Sequence, residues 1–468
     1  MTPMHDGQRV PLPDAFLAFM RERFGKRFST ADAVRAHHGH DESHFADALP
    51  DGVVWPHSTD EVVEIMKACG THGVPVIAFG VGSSLEGHVL ATRGGISVDF
   101  SEMNRVLRIN AEDMDVVVQP GITRKQLNAA LHGTGLFFPV DPGADASIGG
   151  MAATRASGTN AVRYGTMREN VMGLEAVLAN GSVIRTGSRA RKSSAGYDLT
   201  RLLVGSEGTL GLITELTVRL HPLPEAVSAA VCAFPDLDSA VQTVIQTIQL
   251  GIPVARIELL DELTVKAVNR FSKTTLRESP MLFFEFHGSP AGVEEQARTV
   301  QELAGELGGA NFEWATHPED RSRLWAARHD VYFASLNLRA GSRGITTDVC
   351  VPISRLADCI AGTREDIAES GLIAPIVGHV GDGNFHTLIL VDPDNPAEIE
   401  QAEALNRRIV ARALEMGGTC TGEHGVGFGK QEFLVAEHGR EAVEAMRAIK
   451  LALDPDNLLN PGKVVPPL

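Results

Sequence analysis

Apolar positions recur along this chain in two rhythms, and the switch between them predicts its elements. Residues 12–24 repeat at helical spacing, with Pro13 as a first-turn proline and Phe16, Phe19 and Met20 marking one face. Ser29-Thr-Ala-Asp32 caps a second short helix. Asp51–Pro56 reads as a short strand, Thr59–Cys69 as an amphipathic helix, and Pro75–Phe79 as a buried strand. Two prolines in Leu220-His-Pro-Leu-Pro-Glu225 break the pattern. Beyond them Ala229–Phe234, Ala255–Leu260 and Pro280–Gly288 read as strands, and Leu237–Leu250 and Gly292–Leu307 as helices. That alternation suggests a ferredoxin-like core. Arg321–Ser335 reads as a helix carrying Trp325 and Arg328. Glu441–Leu453 reads as a closing helix before the turn-rich tail Asp454–Lys463.

Composition narrows the class. With 468 residues the chain has room for two or more domains, and 43% hydrophobic residues is ordinary for a soluble protein. A net charge of −17 argues against nucleic acid or anionic membrane as partner. The 5 cysteines are scattered without a C-x-x-C, so no zinc ribbon, iron–sulfur cluster or disulfide framework is expected. Neither a signal sequence nor an apolar run long enough to span a bilayer is found. The expectation is a cytoplasmic chain, at most peripheral at an inner membrane.

Candidate chemistry gathers in the glycine-rich stretches. Gly80-Val-Gly-Ser-Ser-Leu-Glu-Gly87 follows a strand and offers backbone N–H groups to a phosphate. It is neither a G-x-G-x-x-G fingerprint nor a Walker loop. Small residues also crowd Asp141–Asn160 and Gly205–Glu215. Such runs serve close helix–strand packing or leave room for a large flat ligand, and three of them favour one extended cofactor. Further on, Gly381-Asp-Gly-Asn384 reads as a tight hairpin loop between two apolar strands. Pairing outward sets His379 opposite His386, at a chelating separation of roughly 4.5–5.5 Å between Cβ atoms. A metal needs a further ligand, and Glu423 beside His424, in Gly417–Gly427, is the best candidate. Arg328 either clamps a carboxylate or faces solvent.

These stretches resemble a known family. Phe79–Gly87, Ser147-Ile-Gly-Gly150, Gly205–Glu215, Thr347-Asp-Val-Cys-Val-Pro352, His379–His386 and Thr419–Gly425 are similar to the vanillyl-alcohol-oxidase-type flavoproteins, above all their D-lactate dehydrogenase (cytochrome) branch. The resemblance runs in order from about residue 45. It implies an α+β chain: a helical lead-in (1–45), a two-subdomain FAD-binding domain of PCMH type (46–225), a ferredoxin-like substrate cap (226–416) and a C-terminal segment returning to the flavin (417–468). It implies FAD contacts from Gly80, Val81, Gly82, Ser83, Ser84, Gly87, Pro142, Gly149, Gly150, Ser157, Gly158, Tyr164, Gly165, Glu207, Gly208, Ile213 and Asn460. Covalently flavinylated members often carry a histidine within the loop; here Gly82-Ser83-Ser84 stands there, so FAD is expected to be non-covalent, with His88 just beyond.

Together these imply oxidation of a D-2-hydroxy acid. A divalent metal (Zn, Fe or Mn) on His379, His386 and Glu423 acts as Lewis acid on the substrate hydroxyl. His424 takes the proton, Arg328 holds the carboxylate, and flavin N5 receives the hydride. Without haem or iron–sulfur motifs, electrons pass to an external acceptor: a cytochrome, a quinone-linked partner or an electron-carrying flavoprotein. Neither Thr346 nor Leu388 is basic, which favours a monocarboxylate such as D-lactate over a diacid. A homodimer is compatible with this reading. The alternatives are a glycolate-oxidase-type subunit, another D-2-hydroxy acid, an alkyl-glycerone-phosphate synthase (though its run of histidines is missing) and a non-enzymatic flavin or metal binder.

Overall fold

The computed structural model describes Arg9 and residues 11–467. The chain divides into two compact units: Met1–Ser157, Gly165–Leu223 and Glu423–Leu468 form the first, and Gly158–Tyr164 with Pro224–Gly422 form the second.

The first unit holds two sheets, each with its own core. Strands Gly52–Val54, Ile96–Asp99 and Val76–Phe79 lie parallel, with Phe28–Ser29 antiparallel at one edge. The helix Thr59–His72 packs on this sheet through Val62, Ile65, Met66 and Cys69. Ser58 caps it, accepting the Glu61 N–H, and Gly73 ends it in the left-handed region that glycine adopts without a Cβ clash. The first helix, Asp14–Phe24, buries Phe16, Met20 and Phe24. Pro13 is its N-cap rather than a first-turn residue, and Phe19 faces out. An i, i+4, i+8 stripe therefore replaces the expected face. The second sheet is antiparallel, in the order Val106–Asn110, Asp115–Val118, Leu212–Arg219, Val171–Val177, Val183–Gly187. Its core runs from Val116 and Val118 to Leu216 and Val218.

In the second unit the strand order is Ala310–Ala315, Ala226–Ala233, Met281–Gly288, Val254–Leu260. That antiparallel 4-1-3-2 order, with helices Leu237–Gln249 and Pro290–Glu306 as crossovers, is the expected ferredoxin-like core. The sheet then continues through Ile376–Gly378, Asn384–Val391 and Arg343–Thr346. Both faces of Asn384–Val391 are buried.

Two expectations change here. The helix expected over 321–335 is broken into Pro318–His329 and Val331–Leu336, with Asp330 as the cap of the second piece. The hairpin pairs Val377 with His386, not His379 with His386. His379 instead leads into a short 3₁₀ turn, Val380–Asp382, closed by Gly383 at φ 79°. That turn takes up residues the tight loop left in the strand, and the register moves by two.

Candidate active site

The second unit gathers its candidate residues around one buried carboxylate. Glu258 lies on the strand Val254–Leu260 and is fully buried. Its Oε2 accepts from Arg328 Nε (2.8 Å) and its Oε1 from His379 Nδ1 (2.7 Å). Burial works to raise its pKa, but His379 and Arg328 outweigh that and hold it below the usual carboxylate range. The His379 and His386 rings lie 5.5 Å apart, centroid to centroid. They meet despite the shifted register because a residue two positions from the directly paired one still points to the same face. His386 Nδ1 donates to the Thr347 carbonyl (3.0 Å). Both rings thus have Nδ1–H directed at a fixed acceptor, which puts the lone pair of the neutral imidazole on Nε2, the usual arrangement of metal-ligating histidines.

Asp348, also fully buried, sits 3.6 Å from His386 and accepts from Asn384 (2.9 Å) and Thr421 (2.7 Å). The Gly422 N–H donates to its carbonyl (3.2 Å). The chain is therefore anchored at Asp348 immediately before Glu423 and His424. Neither Glu258 nor Asp348 was singled out from sequence. Thr346 and Leu388 are direct cross-strand partners.

Tyr164 belongs to this unit too. Its hydroxyl donates to His287 Nδ1 (2.7 Å), and His287 Nε2 faces Glu285 (2.8 Å). Burial raises the Tyr164 pKa. Arg256 approaches Glu285 at 3.5 Å and covers the Trp325 ring.

In the first unit the 80–87 loop runs without helix or strand. Gly82 (φ 70°) needs the left-handed region, and a side chain on Gly80 would come within 2.5 Å of Ser147 Oγ. Ser147 itself caps the helix Ile148–Thr154, accepting from Gly150. The Ser84 hydroxyl donates to Asp41 (3.2 Å). The loop is thus closed on its inner side, with the Phe79 ring against Gly82 and the Phe428 ring against Gly87. Other expected contacts have protein partners. Gly149 packs under Pro120, and Ile213 joins the core. Glu207 accepts from the Val426 and Gly427 N–H groups (2.6 and 2.8 Å), and the Asn460 amide donates to the His88 and Glu207 carbonyls (3.1 and 2.8 Å). Gly158 lies with Tyr164 in the second unit, while Gly165 returns to the first. All five cysteines are free. Among the described residues no helix is long and apolar enough to cross a membrane.

Comparison with known proteins gives the class first. The fold matches 4-ethylphenol oxidase from Gulosibacter chungangensis with a TM-score of 0.79, at 20% identity, over 98% of this chain and 99% of that one. It matches an alkyldihydroxyacetonephosphate synthase at 0.77, also at 20% identity, over 98% and 88%. A family model of the FAD binding domain covers residues 50–187, and one of the FAD linked oxidases, C-terminal domain, covers 223–464. These define an FAD-linked oxidoreductase of PCMH type.

Sequence relatives carry this further. A probable mitochondrial D-lactate dehydrogenase of Danio rerio is 52% identical over 93% of this chain and 88% of that one. The mitochondrial D-lactate dehydrogenase (cytochrome) of Arabidopsis thaliana is 46% identical, over 98% and 82%. A glycolate oxidase subunit GlcD of Bacillus subtilis is 36% identical, over 94% of each. The chain belongs to the FAD-linked oxidases, in their D-lactate dehydrogenase (cytochrome) branch.

Proposed function

We propose that the protein oxidises a D-2-hydroxy acid, D-lactate foremost, to the 2-oxo acid and delivers the two electrons to an external acceptor, a cytochrome in the first instance. The observation that carries this reading is Glu258, whose two oxygens hold Arg328 and His379 at fixed positions. When bound, FAD supplies the two-electron acceptor and a divalent ion supplies Lewis acidity toward the substrate hydroxyl. His379, His386 and Glu423 would hold the ion. Arg328 binds the substrate carboxylate, oriented by Glu258. His424 takes the hydroxyl proton, and the Gly80–Gly87 loop seats the nucleotide non-covalently. Thr346 and Leu388 give no basic partner for a second carboxylate, which supports a monocarboxylate.

The likeness to the glycolate oxidase subunit supports one second reading, glycolate as substrate. One assay separates them: purified holoenzyme, an artificial electron acceptor, and a panel of D- and L-2-hydroxy acids with glycolate included. D-lactate turnover exceeding that of glycolate, with L-lactate inert, is expected. Turnover of glycolate alone would select the second reading, and a flavin that no 2-hydroxy acid bleaches would end both.

A further inference from the structure

We propose that Glu207, paired with His88, is the positioning residue for the loop that carries His424. This rests on His424 acting as the base and explains how that residue is held.

The stretch from Glu423 to Gly429 has no helix or strand, so its backbone amides need other partners. Glu207 supplies two. Oε1 accepts from the Val426 N–H (2.6 Å) and Oε2 from the Gly427 N–H (2.8 Å), an ionised carboxylate bridging two consecutive amides. His88 Nε2 lies 3.1 Å from Oε2 on the other side, and both side chains are about 95% buried. Burial lowers the His88 pKa, but the Glu207 charge and hydrogen bond outweigh it, so the imidazolium is favoured; the same pairing, with the two amides, holds Glu207 below the usual carboxylate range. Each partner thus favours the charged form of the other.

The clamp reaches the residue after His424. Gly425 has φ 81°, and a Cβ there would fall 2.7 Å from Glu207 Oε1 and 2.8 Å from His88 Nε2. Beyond the clamp, the Phe428 N–H donates to the Glu86 carbonyl (3.1 Å) and Lys430 reaches the Glu86 carboxylate (3.4 Å). Glu207 also stands at φ 54°, where a glycine would sit at lower cost, between Gly205 and Gly208. A glutamate in the left-handed region is explained by what its carboxylate does. Asn460 fixes that backbone by bonding the carbonyls of His88 and Glu207 together.

The test is Glu207→Gln holoenzyme. The amide keeps volume but turns one acceptor into a donor facing an N–H. Expected are FAD content and visible spectrum as in the wild type, KM for D-lactate within about twofold, and a limiting rate of flavin reduction about 10²-fold lower, the usual effect of misplacing a reacting group by about 1 Å. Hydrogen exchange at the Val426 and Gly427 amides should quicken, and Glu207→Asp should recover part of the rate. A wild-type limiting rate overturns the proposal. So does loss of FAD, which would make Glu207 part of the cofactor seat. If Glu207→Gln does not fold, His88→Gln decides: slower reduction at unchanged KM supports the clamp, and wild-type kinetics overturns it. If the wild-type enzyme oxidises no D-2-hydroxy acid, the function proposed above fails instead, while amide exchange still reads the clamp directly.

Discussion

A neutral imidazole, with a reference pKa of about 6.5, suits removal of a hydroxyl proton near pH 7. His424→Asn should therefore keep its FAD and metal but reduce its flavin with D-lactate at least about 10²-fold more slowly, as read by anaerobic stopped flow. Near-wild-type reduction would move the proton to another group, and loss of metal would make His424 a ligand. Glycines surround this residue in the sequence and leave a bulky polar side chain no packing role, which is what singles it out. Glu258 carries no such signal. It sits in the apolar strand Val254–Leu260, and the residues that explain it, Arg328 and His379, lie 70 and 121 positions away. A carboxylate in a strand reads as solvent-facing until the tertiary fold supplies its partners. Glu207 stands as a cofactor contact only through the family resemblance; in the fold its carboxylate binds two backbone amides.

Strand geometry gives the element scale its own prediction. Side chains two apart on Val254–Leu260 share a face, so Arg256 and Glu258 point the same way, toward Glu285 and toward Arg328 with His379. Glu258→Gln removes the charge and leaves one acceptor oxygen where His379 and Arg328 each use one. Metal affinity should fall about 10–100-fold, the usual loss when such a partner is removed, and KM for D-lactate should rise as Arg328 loses its orientation. Metal titration followed by steady-state kinetics checks both, and unchanged affinity would separate Glu258 from any metal. The ferredoxin-like core was legible because its strands and helices alternate with clear periods. The hairpin register was not, since glycine, aspartate and asparagine permit either the four-residue loop Gly381–Asn384 or the short 3₁₀ turn. Only packing of Asn384–Val391, buried on both faces, selects between them.

For the whole molecule, burial of one lysine sets a pH dependence. Lys463 Nζ donates to the Leu90 carbonyl (2.7 Å) over the Phe428 ring, and burial pushes its pKa down to about 8, against about 10.4 unfolded. Between these values the unfolded chain binds the proton and the native one does not, so stability rises with pH from about 8 to about 10 and is lost as pH falls through 8. The contribution is on the order of 3 kcal/mol. Lys463→Met should be more stable than the wild type at pH 8 and should lack this rise, as urea unfolding at pH 8 and 10 would show. An equal slope in both proteins would place the titration elsewhere. Composition gave no sign of this: a lysine in a turn-rich tail reads as exposed, and only the fold of the last residues against Leu90 buries it.

Those last residues carry a consequence for how the protein is made. Leu459 bridges Val76 in parallel, the Val76 N–H donates to Leu458, and Asn460 donates back to Val76. The C-terminal stretch Glu423–Leu468 thus caps the first residue of this sheet's edge strand, Val76–Phe79, with an isolated bridge. Synthesis runs at about 5–20 residues per second, so the roughly 250 residues after Leu223 occupy the ribosome for about 10–50 s. Throughout that interval the Val76 N–H and carbonyl at the head of this edge strand lack those partners, and an uncovered strand edge is a template for aggregation. The nascent chain is then a natural client for chaperones, and a nonsense codon after Leu453 should yield aggregated, flavin-free protein rather than a slightly weakened enzyme. A soluble yellow product from that truncated gene would show that the first unit closes without its tail.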